Sequence, residues 1–339
     1  MKKFMIKVVL FVVLVGMLLV PVNLLIDPYN VFHADHMRDN GVEPNKNYIK
    51  TRFILNNQET YDSYLFGSSR VGFIDVTKMS EYSGERYYNM MYSEGLPAEH
   101  LKTLQVMIAR GEIPDTVVIG VDDISYMVDP ARHESQLYRI AYPYGESWQK
   151  QAGFYLKYMD TYTTLQSLSV ISNHKPTDIS AIYTTGCEDL NRDTVFDETQ
   201  NTPYWADYYE NRMEESLQEI AAIRDLCQEN EIKLIVFTNP LYYATYEKDV
   251  RHGYLDFLEK LAGVVPYYNF SGYNEITLSK ENYFETSHYR PQVGDKIIDV
   301  IFKGETDETL ISQGFGVYVT RDGEEELMKI LKHQVASLK

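Results

Sequence analysis

Short apolar runs and helical repeats alternate along most of this chain. Short segments rich in apolar residues predict strands at 61–66, 87–91, 116–121, 233–238, 265–270 and 317–319, and the run at 116–121 is continuous, as expected for a central parallel strand. Apolar residues three or four positions apart predict helices at 97–108, 203–230, 247–261 and 291–302, and a last helix beyond the Asp322-Gly323 turn. This alternation predicts an α/β fold with a doubly wound parallel sheet, flavodoxin-like and three-layered.

The longest apolar stretch lies at the N-terminal end. Lys2, Lys3 and Lys7 precede 19 uncharged residues from Val8 to Ile26, just enough to cross a bilayer as one helix. The lysines favour a cytoplasmic start, which places the rest of the chain outside the cell membrane. A cleaved signal peptide is the alternative, but residues 18–23 lack the small residues of a cleavage site. We therefore expect a single-pass membrane protein with a transmembrane signal anchor at 1–26.

The remaining chain divides into two predicted parts. Residues 27–59 are polar and irregular and predict a stalk or entry arm, with a short helix near 50–57. Residues 60–339 predict the α/β domain. Within it, about 126–200 has scattered tyrosines and prolines and helical stretches near 149–166, which we interpret as an insertion or lid over the sheet.

Composition narrows the classes of partner. A formal net charge of −17 over 339 residues argues against nucleic acid and against docking on an anionic lipid surface. The 29 tyrosines suit surfaces that bind sugars, although most tyrosines serve as ordinary core and surface residues. The two cysteines, Cys187 and Cys227, form no zinc pattern and leave a bridge between them open. We expect neither a metal nor another cofactor.

Polar residues follow four of the predicted strands, namely Ser69, Asn89, Asp122 and Asn239. Ligands of doubly wound sheets bind beyond the carboxyl ends of the strands, so these side chains should converge. Ser69 ends the tripeptide Gly67-Ser68-Ser69, and a serine nucleophile needs such a sharp turn from strand to helix. A plain turn is the alternative for this tripeptide. Asn239 is a candidate for contacting substrate and Asn89 for the oxyanion hole; the alternatives are a turn at Asn239 and a cap of the next segment at Asn89.

A histidine with a nearby carboxylate lies far downstream, in Glu285-Thr286-Ser287-His288. A general base must be oriented by a third group, and Glu285 has the spacing to orient His288 in a loop before the helix at 291–302. A surface or capping pair is the alternative. A di-iron ligand pair would need a second Glu-x-x-His copy, which the chain lacks.

Four blocks in this order resemble the SGNH/GDSL hydrolase superfamily: Gly67-Ser68-Ser69, Asn89 to Gly95, Gly120-Val121-Asp122 and Glu285 to His288. With the anchor, Thr238-Asn239-Pro240 and Ser287-His288-Tyr289-Arg290-Pro291, the chain looks closest to the membrane-anchored extracytoplasmic branch. That branch includes alginate O-acetylation proteins and the D-alanine-transfer protein of lipoteichoic acid synthesis. The resemblance covers about 60–302 and implies an SGNH-like sheet domain.

The resemblance implies a role for each matching residue. Ser69 matches the nucleophile, His288 the base and Glu285 its orienting acid. The N–H groups of Ser69 and Gly95 match oxyanion-hole donors. The implied activity is serine-dependent acyl transfer or ester hydrolysis on a cell-envelope polysaccharide, with O-acetylation favoured and a multi-pass membrane O-acyltransferase as partner.

Two positions depart from the superfamily pattern. Asp122 stands where an asparagine donor is usual, and an ionised aspartate accepts but does not donate hydrogen bonds. Glu285 stands in place of aspartate. Arg70 follows the nucleophile and is expected either to pair with Asp122 or Asp123 or to bind an acidic sugar or phosphate. These departures leave two alternatives: a non-catalytic glycan-binding or assembly scaffold, or D-alanyl transfer to teichoic acid.

Overall fold

The computed structural model describes residues 1–173, 179–199 and 212–337. Part of the helix predicted at 203–230 therefore lies outside the described residues. The described helices, in chain order, are α1 Lys2–Ile26, α2 Lys46–Asn56, α3 Val76–Ser83, α4 Pro97–Ala109, α5 Trp148–Lys157, α6 Thr161–Ser172, α7 Met213–Glu229, α8 Tyr243–Val250, α9 Tyr254–Val264, α10 Pro291–Ile298, α11 Glu308–Ser312 and α12 Glu324–Ser337. The strands are β1 Ser63–Phe66, β2 Tyr87–Asn89, β3 Thr116–Val121, β4 Lys233–Thr238, β5 Tyr267–Asn269 and β6 Val317–Val319.

The six strands form one sheet in the order β2-β1-β3-β4-β5-β6. The first five are parallel, and β6 runs antiparallel to β5 at the edge. β3 pairs with β4 over its whole length, from Thr116 opposite Lys233 to Val121 opposite Thr238. The order of the parallel strands is that of a flavodoxin-like doubly wound sheet, whose direction of winding reverses between β1 and β3. The predicted α/β fold with a mostly parallel sheet is confirmed.

Two sets of helices accompany the sheet. α4 packs on α7, α7 on α9 and α9 on α12, while α3 packs on α10. Apolar side chains of α10, Val293 and Ile297, are buried, as the predicted helical spacing requires. These two sets are compatible with a three-layer arrangement.

Several element boundaries differ from the sequence predictions. The single helix predicted at 247–261 is wrong, because Gly253 has φ +92° and separates α8 from α9. The helix predicted at 291–302 is α10 followed by a π-helical turn, Asp299–Lys303. α3 has no counterpart among the predicted helices; its start is capped by the Asp75 side chain, which accepts from the N–H of Thr77.

The chain divides into two compact units. The N-terminal unit comprises 1–53 and 133–180, and the sheet unit comprises 54–132 and 181–339. Much of the predicted stalk and the helical part of the predicted insertion thus belong to one unit. In that unit the Tyr48 ring packs against Tyr142, Phe154 and Tyr155. The Asn45 amide donates to the carbonyl of Ile140 at 2.8 Å.

Large apolar side chains of α1, including Phe4, Leu10, Phe11 and Leu14, are exposed. Within the described part of the chain, none of the helices combines the length and the apolar character that crossing a membrane requires.

Two glycines allow the turn after β1 to lie close to β3. The Val71 side chain fills the space where both would otherwise carry a side chain. A Cβ on Gly67 would come 2.8 Å from Val71 Cγ1, and a Cβ on Gly120 would come 2.3 Å from the same atom. The close approach of the residues after β1 to the end of β3 therefore depends on the absence of a side chain at both positions.

We expect Gly120→Ala to destabilise the protein by about 1–3 kcal/mol, because the new methyl group would overlap Val71 and would lie 2.9 Å from Cζ of the Phe237 ring. Urea denaturation of the purified full chain measures the effect. Gly263→Ala, in α9 with open space around the glycine, is the control and should be neutral or stabilising by about 0.5–1 kcal/mol. Equal stability of the two variants would contradict the packing argument.

Candidate active site

The segment after β1 turns sharply and presents a serine. Ser68 is extended and caps the 3₁₀ helix Ser69–Phe73, because its hydroxyl oxygen accepts from the Arg70 N–H at 3.3 Å. Ser68 is buried, whereas Ser69 remains partly accessible. The turn lies at the carboxyl end of β1, next to β3, where the winding of the sheet reverses its direction. Ligands of doubly wound sheets usually bind at this point.

Three predicted residues form a continuous hydrogen-bonded chain. The Ser69 hydroxyl lies 2.7 Å from His288 Nε2, and His288 Nδ1 contacts Glu285 Oε1. With Nδ1–H donating to the carboxylate, Nε2 carries the lone pair that accepts the serine proton. Ser69 and His288 are 219 positions apart in sequence, so the fold and not local structure makes this contact.

Glu285 is buried and its carboxylate is fully engaged. Besides the His288 ring, it accepts the N–H groups of Ser287 at 2.6 Å and His288 at 3.1 Å. Burial alone would raise its pKa, but the His288 hydrogen bond and charge, with the Ser287 N–H, outweigh burial and lower the pKa. Glu285 is therefore ionised when it orients the imidazole.

The loop that carries His288 is fixed by contacts from three directions. The carbonyl of Thr286 accepts from the Thr245 hydroxyl at 2.6 Å, and the carbonyl of Ser287 accepts from Arg70 Nε at 2.9 Å. The Phe73 ring lies edge-on to the imidazole, with centroids 5.8 Å apart. These contacts limit the positions that the imidazole can take relative to Ser69.

Arg70 is buried, and each of the three nitrogens of its guanidinium contacts an oxygen of the protein. Nη1 contacts Asp122, and Nη2 donates to Asp123 Oδ2 at 2.7 Å. Burial lowers the pKa of this guanidinium, but the charges of Asp122 and Asp123 more than compensate, and the net shift is upward. Of the two roles predicted for Arg70, the structure shows the ion pair. In this ion pair the carboxylate of Asp122 contacts the guanidinium and helps to hold Arg70 in place.

A third carboxylate, that of Asp249 on α8, interacts electrostatically with the cluster formed by Arg70, Asp122 and Asp123. Its Oδ2 is buried and has no hydrogen-bond partner in the described ranges. Burial, together with the negative charges of Asp123 and Asp122, raises the pKa of Asp249 well above its ordinary value, against the opposing effect of Arg70. The cluster thus contains one fixed cation and an aspartate that tends to keep its proton.

Gly95 lies beside the turn after β1. A Cβ on Gly95 would come 2.8 Å from the carbonyl oxygen of Gly67 and 2.6 Å from the His100 ring. The preceding residue, Glu94, has φ +55°, a left-handed conformation that is uncommon outside glycine. The structure thus brings Gly95 next to the carbonyl group of Gly67, at the start of the turn that carries Ser69.

The two predicted asparagines lie beneath the open surface of the site. Asn89 is fully buried, and its amide donates to the carbonyl of Val71 at 2.8 Å. Asn239 is also fully buried; it donates to the carbonyl of Val121 at 3.3 Å and accepts from the Tyr289 hydroxyl at 3.0 Å. Both residues support the loops that carry the site.

Three supporting residues were not identified from the sequence. Phe73 lies in the apolar segment just after Ser69, which was a usable signal. Thr245 and Asp249 lie on α8, and no motif or spacing marks them. Both cysteines are buried, and the structure forms no disulfide bond between Cys187 and Cys227, the bridge that the sequence left open.

No protein-family model matches this chain. Among curated proteins, likewise, none matches it at a significant level. The resemblance to SGNH/GDSL hydrolases therefore rests on the residue blocks themselves.

We expect Arg70→Gln to lower the free energy of unfolding by about 3–5 kcal/mol, because it leaves two buried aspartates without their cation. Arg70→Lys should fall between this variant and the parent, since lysine keeps the charge but lacks the planar fork. Arg86→Gln is the control, as Arg86 pairs with Asp62 at the surface of the same unit and should contribute about 0–1 kcal/mol. Urea denaturation measures all three, and equal losses for Arg70→Gln and Arg86→Gln would refute the buried-pair argument.

We expect Asp249→Asn to make stability less sensitive to rising pH. A raised pKa in the folded state means that protonated Asp249 stabilises the fold fully below its ordinary pKa of 3.8, and that this contribution is lost as pH rises through the raised value. The variant should therefore gain stability relative to the parent as the pH rises above about 4. Asp256→Asn, an exposed position on α9, controls for loss of a charge. Parallel stability curves for Asp249→Asn and the parent would show that Asp249 does not retain its proton.

Proposed function

We propose that this chain is a serine-dependent acyltransferase or esterase with Ser69 as nucleophile, His288 as base and Glu285 as orienting acid. The observation that carries the proposal is the hydrogen-bonded chain from Ser69 through His288 to Glu285, with Ser69 partly accessible at the point where the sheet reverses its winding. A histidine–glutamate pair at the surface would not need a buried carboxylate such as that of Glu285 in contact with His288 Nδ1.

The chemistry follows from the positions of the protons. Ser69 Oγ attacks the carbonyl carbon of an acyl donor while its proton passes to His288 Nε2. The bond to the leaving group breaks as His288 returns that proton to it, which leaves the acyl group on Ser69. His288 then removes a proton from an acceptor hydroxyl or from water, whose oxygen takes the acyl group and frees Ser69. Glu285 stays ionised and stabilises the imidazolium in both steps.

The oxyanion of each tetrahedral intermediate needs donors that are already in place. We assign this role to the N–H groups of Ser69 and Gly95, whose segments lie side by side. Asp122 takes no part as a donor, because its carboxylate is paired with Arg70. The buried ion pair is a structural reason for aspartate in place of asparagine at this position, and it supports a role for Asp122 in holding Arg70.

We further propose that the acceptor is a cell-envelope polysaccharide and that the reaction is O-acetylation outside the cell membrane. This part rests on the sequence: residues 1–26 as a membrane anchor, the residue blocks shared with the extracytoplasmic SGNH branch, and the surplus of acidic residues, which disfavours a polyanionic acceptor such as teichoic acid. A multi-pass membrane O-acyltransferase would supply the acyl donor. The intact hydrogen-bonded chain favours an enzyme over a non-catalytic glycan-binding scaffold.

A serine-directed fluorophosphonate tests the nucleophile on the full chain in detergent. We expect labelling of the parent, none of Ser69→Ala, and labelling of Glu285→Gln slowed by about 10²–10⁴-fold, since the glutamine leaves the imidazole poorly oriented. His288→Ala should also lose labelling.

Two matched variants control for the substitutions themselves. Ser312→Ala removes an exposed serine of α11, and His252→Ala removes a histidine after α8, so both should label like the parent. Labelling of Ser69→Ala at the parent rate would overturn the assignment of the nucleophile. With an activated ester as donor, intact-mass analysis should show the acyl group on the parent but not on Ser69→Ala.

A further inference from the structure

Helix α6 is inverted relative to an ordinary surface helix. Its buried side chains are the small polar residues Thr163, Thr164 and Ser167. Its large apolar residues point outward, with exposed fractions of 55% for Tyr162, 64% for Leu165, 51% for Leu168 and 62% for Ile171. No residue of Thr161–Ser172 is charged. A helix in contact with water is expected to bury its apolar face and expose its polar face, because apolar side chains stabilise a fold by leaving the solvent.

The neighbour of α6 is the C-terminal half of α1. On α1, Val15, Gly16, Leu19, Val20 and Asn23 are partly or fully covered, whereas the described side chains before Val15 are exposed. α6 packs on α1. Asn23 donates its amide to the carbonyls of Tyr158 at 3.2 Å and Asp160 at 3.0 Å, which fixes the start of α6 beside the end of α1.

These contacts give the direction of α6. Because its first residues lie beside Asn23 and it packs along α1, the helix returns towards the N-terminal end of α1. Its 12 residues span about 18 Å, close to the length of the covered face that ends at Ile26. The two helices thus form an antiparallel pair within the N-terminal unit.

The buried side chains and hydroxyl groups of α6 can be compared with those of membrane helices. On the α6 side, the small side chains of Thr163 and Ser167 are buried, as is common where two membrane helices pack together. The Ser167 hydroxyl donates to the carbonyl of Thr163 at 2.9 Å, and the Thr164 hydroxyl donates to the carbonyl of Asp160 at 3.1 Å. These two hydroxyls find acceptors without water, whereas the buried Thr163 hydroxyl has no hydrogen-bond partner among the described residues.

We propose that α6 enters the outer leaflet of the lipid bilayer beside α1, with Tyr162, Leu165, Leu168 and Ile171 against acyl chains. The proposal rests on the membrane placement of α1 in the proposed function. A length of about 18 Å matches roughly half of the hydrocarbon core, so α6 reaches into one leaflet and does not cross. Asp160 caps the helix at the level of Asn23, where the chain returns to water. The net negative charge of the chain makes apolar insertion, and not attraction to anionic lipid, the means of attachment.

Tryptophan fluorescence in vesicles tests the depth of α6. The full chain carrying Trp148→Phe and Trp205→Phe, which removes both native tryptophans, is reconstituted into phosphatidylcholine vesicles. Leu168→Trp, and separately Leu165→Trp as a second position, places one tryptophan on the outward face. Leu278→Trp in the sheet unit is the matched control, because Leu278 is 51% exposed, as is Leu168. The measured quantity is quenching by lipids brominated along the acyl chain.

We expect the α6 tryptophans to lose most of their emission in brominated vesicles and the tryptophan at 278 to keep it. Flotation of the same samples after an alkaline wash reports separately on α1. A chain that floats but shows no quenching at 165 or 168 overturns the α6 proposal alone, as would be found if a protein partner or a second copy covered this face. Equal quenching at 278 also overturns it. A chain that fails to float shows that the membrane placement of α1 is wrong, and the α6 proposal falls with it.

Discussion

A buried arginine is the constraint on which this site depends. Arg70 directly follows the proposed nucleophile, and its guanidinium contacts two aspartates after β3 and the carbonyl next to His288. Removing a guanidinium from water is costly unless each donor finds a partner, so the three stretches are required to meet in one arrangement. Arg70 is adjacent to Ser69 and binds the carbonyl adjacent to His288, so its contacts help to bring Ser69 Oγ within 2.7 Å of His288 Nε2.

Two carboxyl groups near this site, those of Glu285 and Asp249, have pKa values shifted in opposite directions by their immediate surroundings. Burial pushes both Glu285 and Asp249 towards the neutral form. Glu285 receives two backbone N–H groups and the imidazole, and its pKa falls. Asp249 faces two other aspartates, and its pKa rises. One group is thereby fitted to stabilise an imidazolium, and the other adds no further negative charge to the cluster while it holds its proton.

Much of this site was predictable because parallel strands end at the same edge of a sheet. Ser69 and Asp122 follow adjacent strands, and that placement needs only the order of apolar runs. The partners of Arg70 could not be decided, since a salt bridge and a ligand contact require the same residue types. Asp249 gave no signal at all, because no motif or spacing marks it. The break at Gly253 between α8 and α9 was missed as well, because the helical spacing continues through the glycine.

Helix α6 illustrates a different limit of sequence patterns. Spacing divides a helix into faces, but it does not say which face meets the protein. In α6 the convention that apolar residues face inward gives the wrong answer, because Thr163 and Ser167 are buried whereas Leu165 and Leu168 are more than half exposed. A helix can be stable in this orientation when its surroundings are less polar than its neighbour. Apolar side chains stabilise a protein by leaving water, which is why a soluble domain buries leucine. For the outward-facing leucines of α6, the same effect favours contact with lipid.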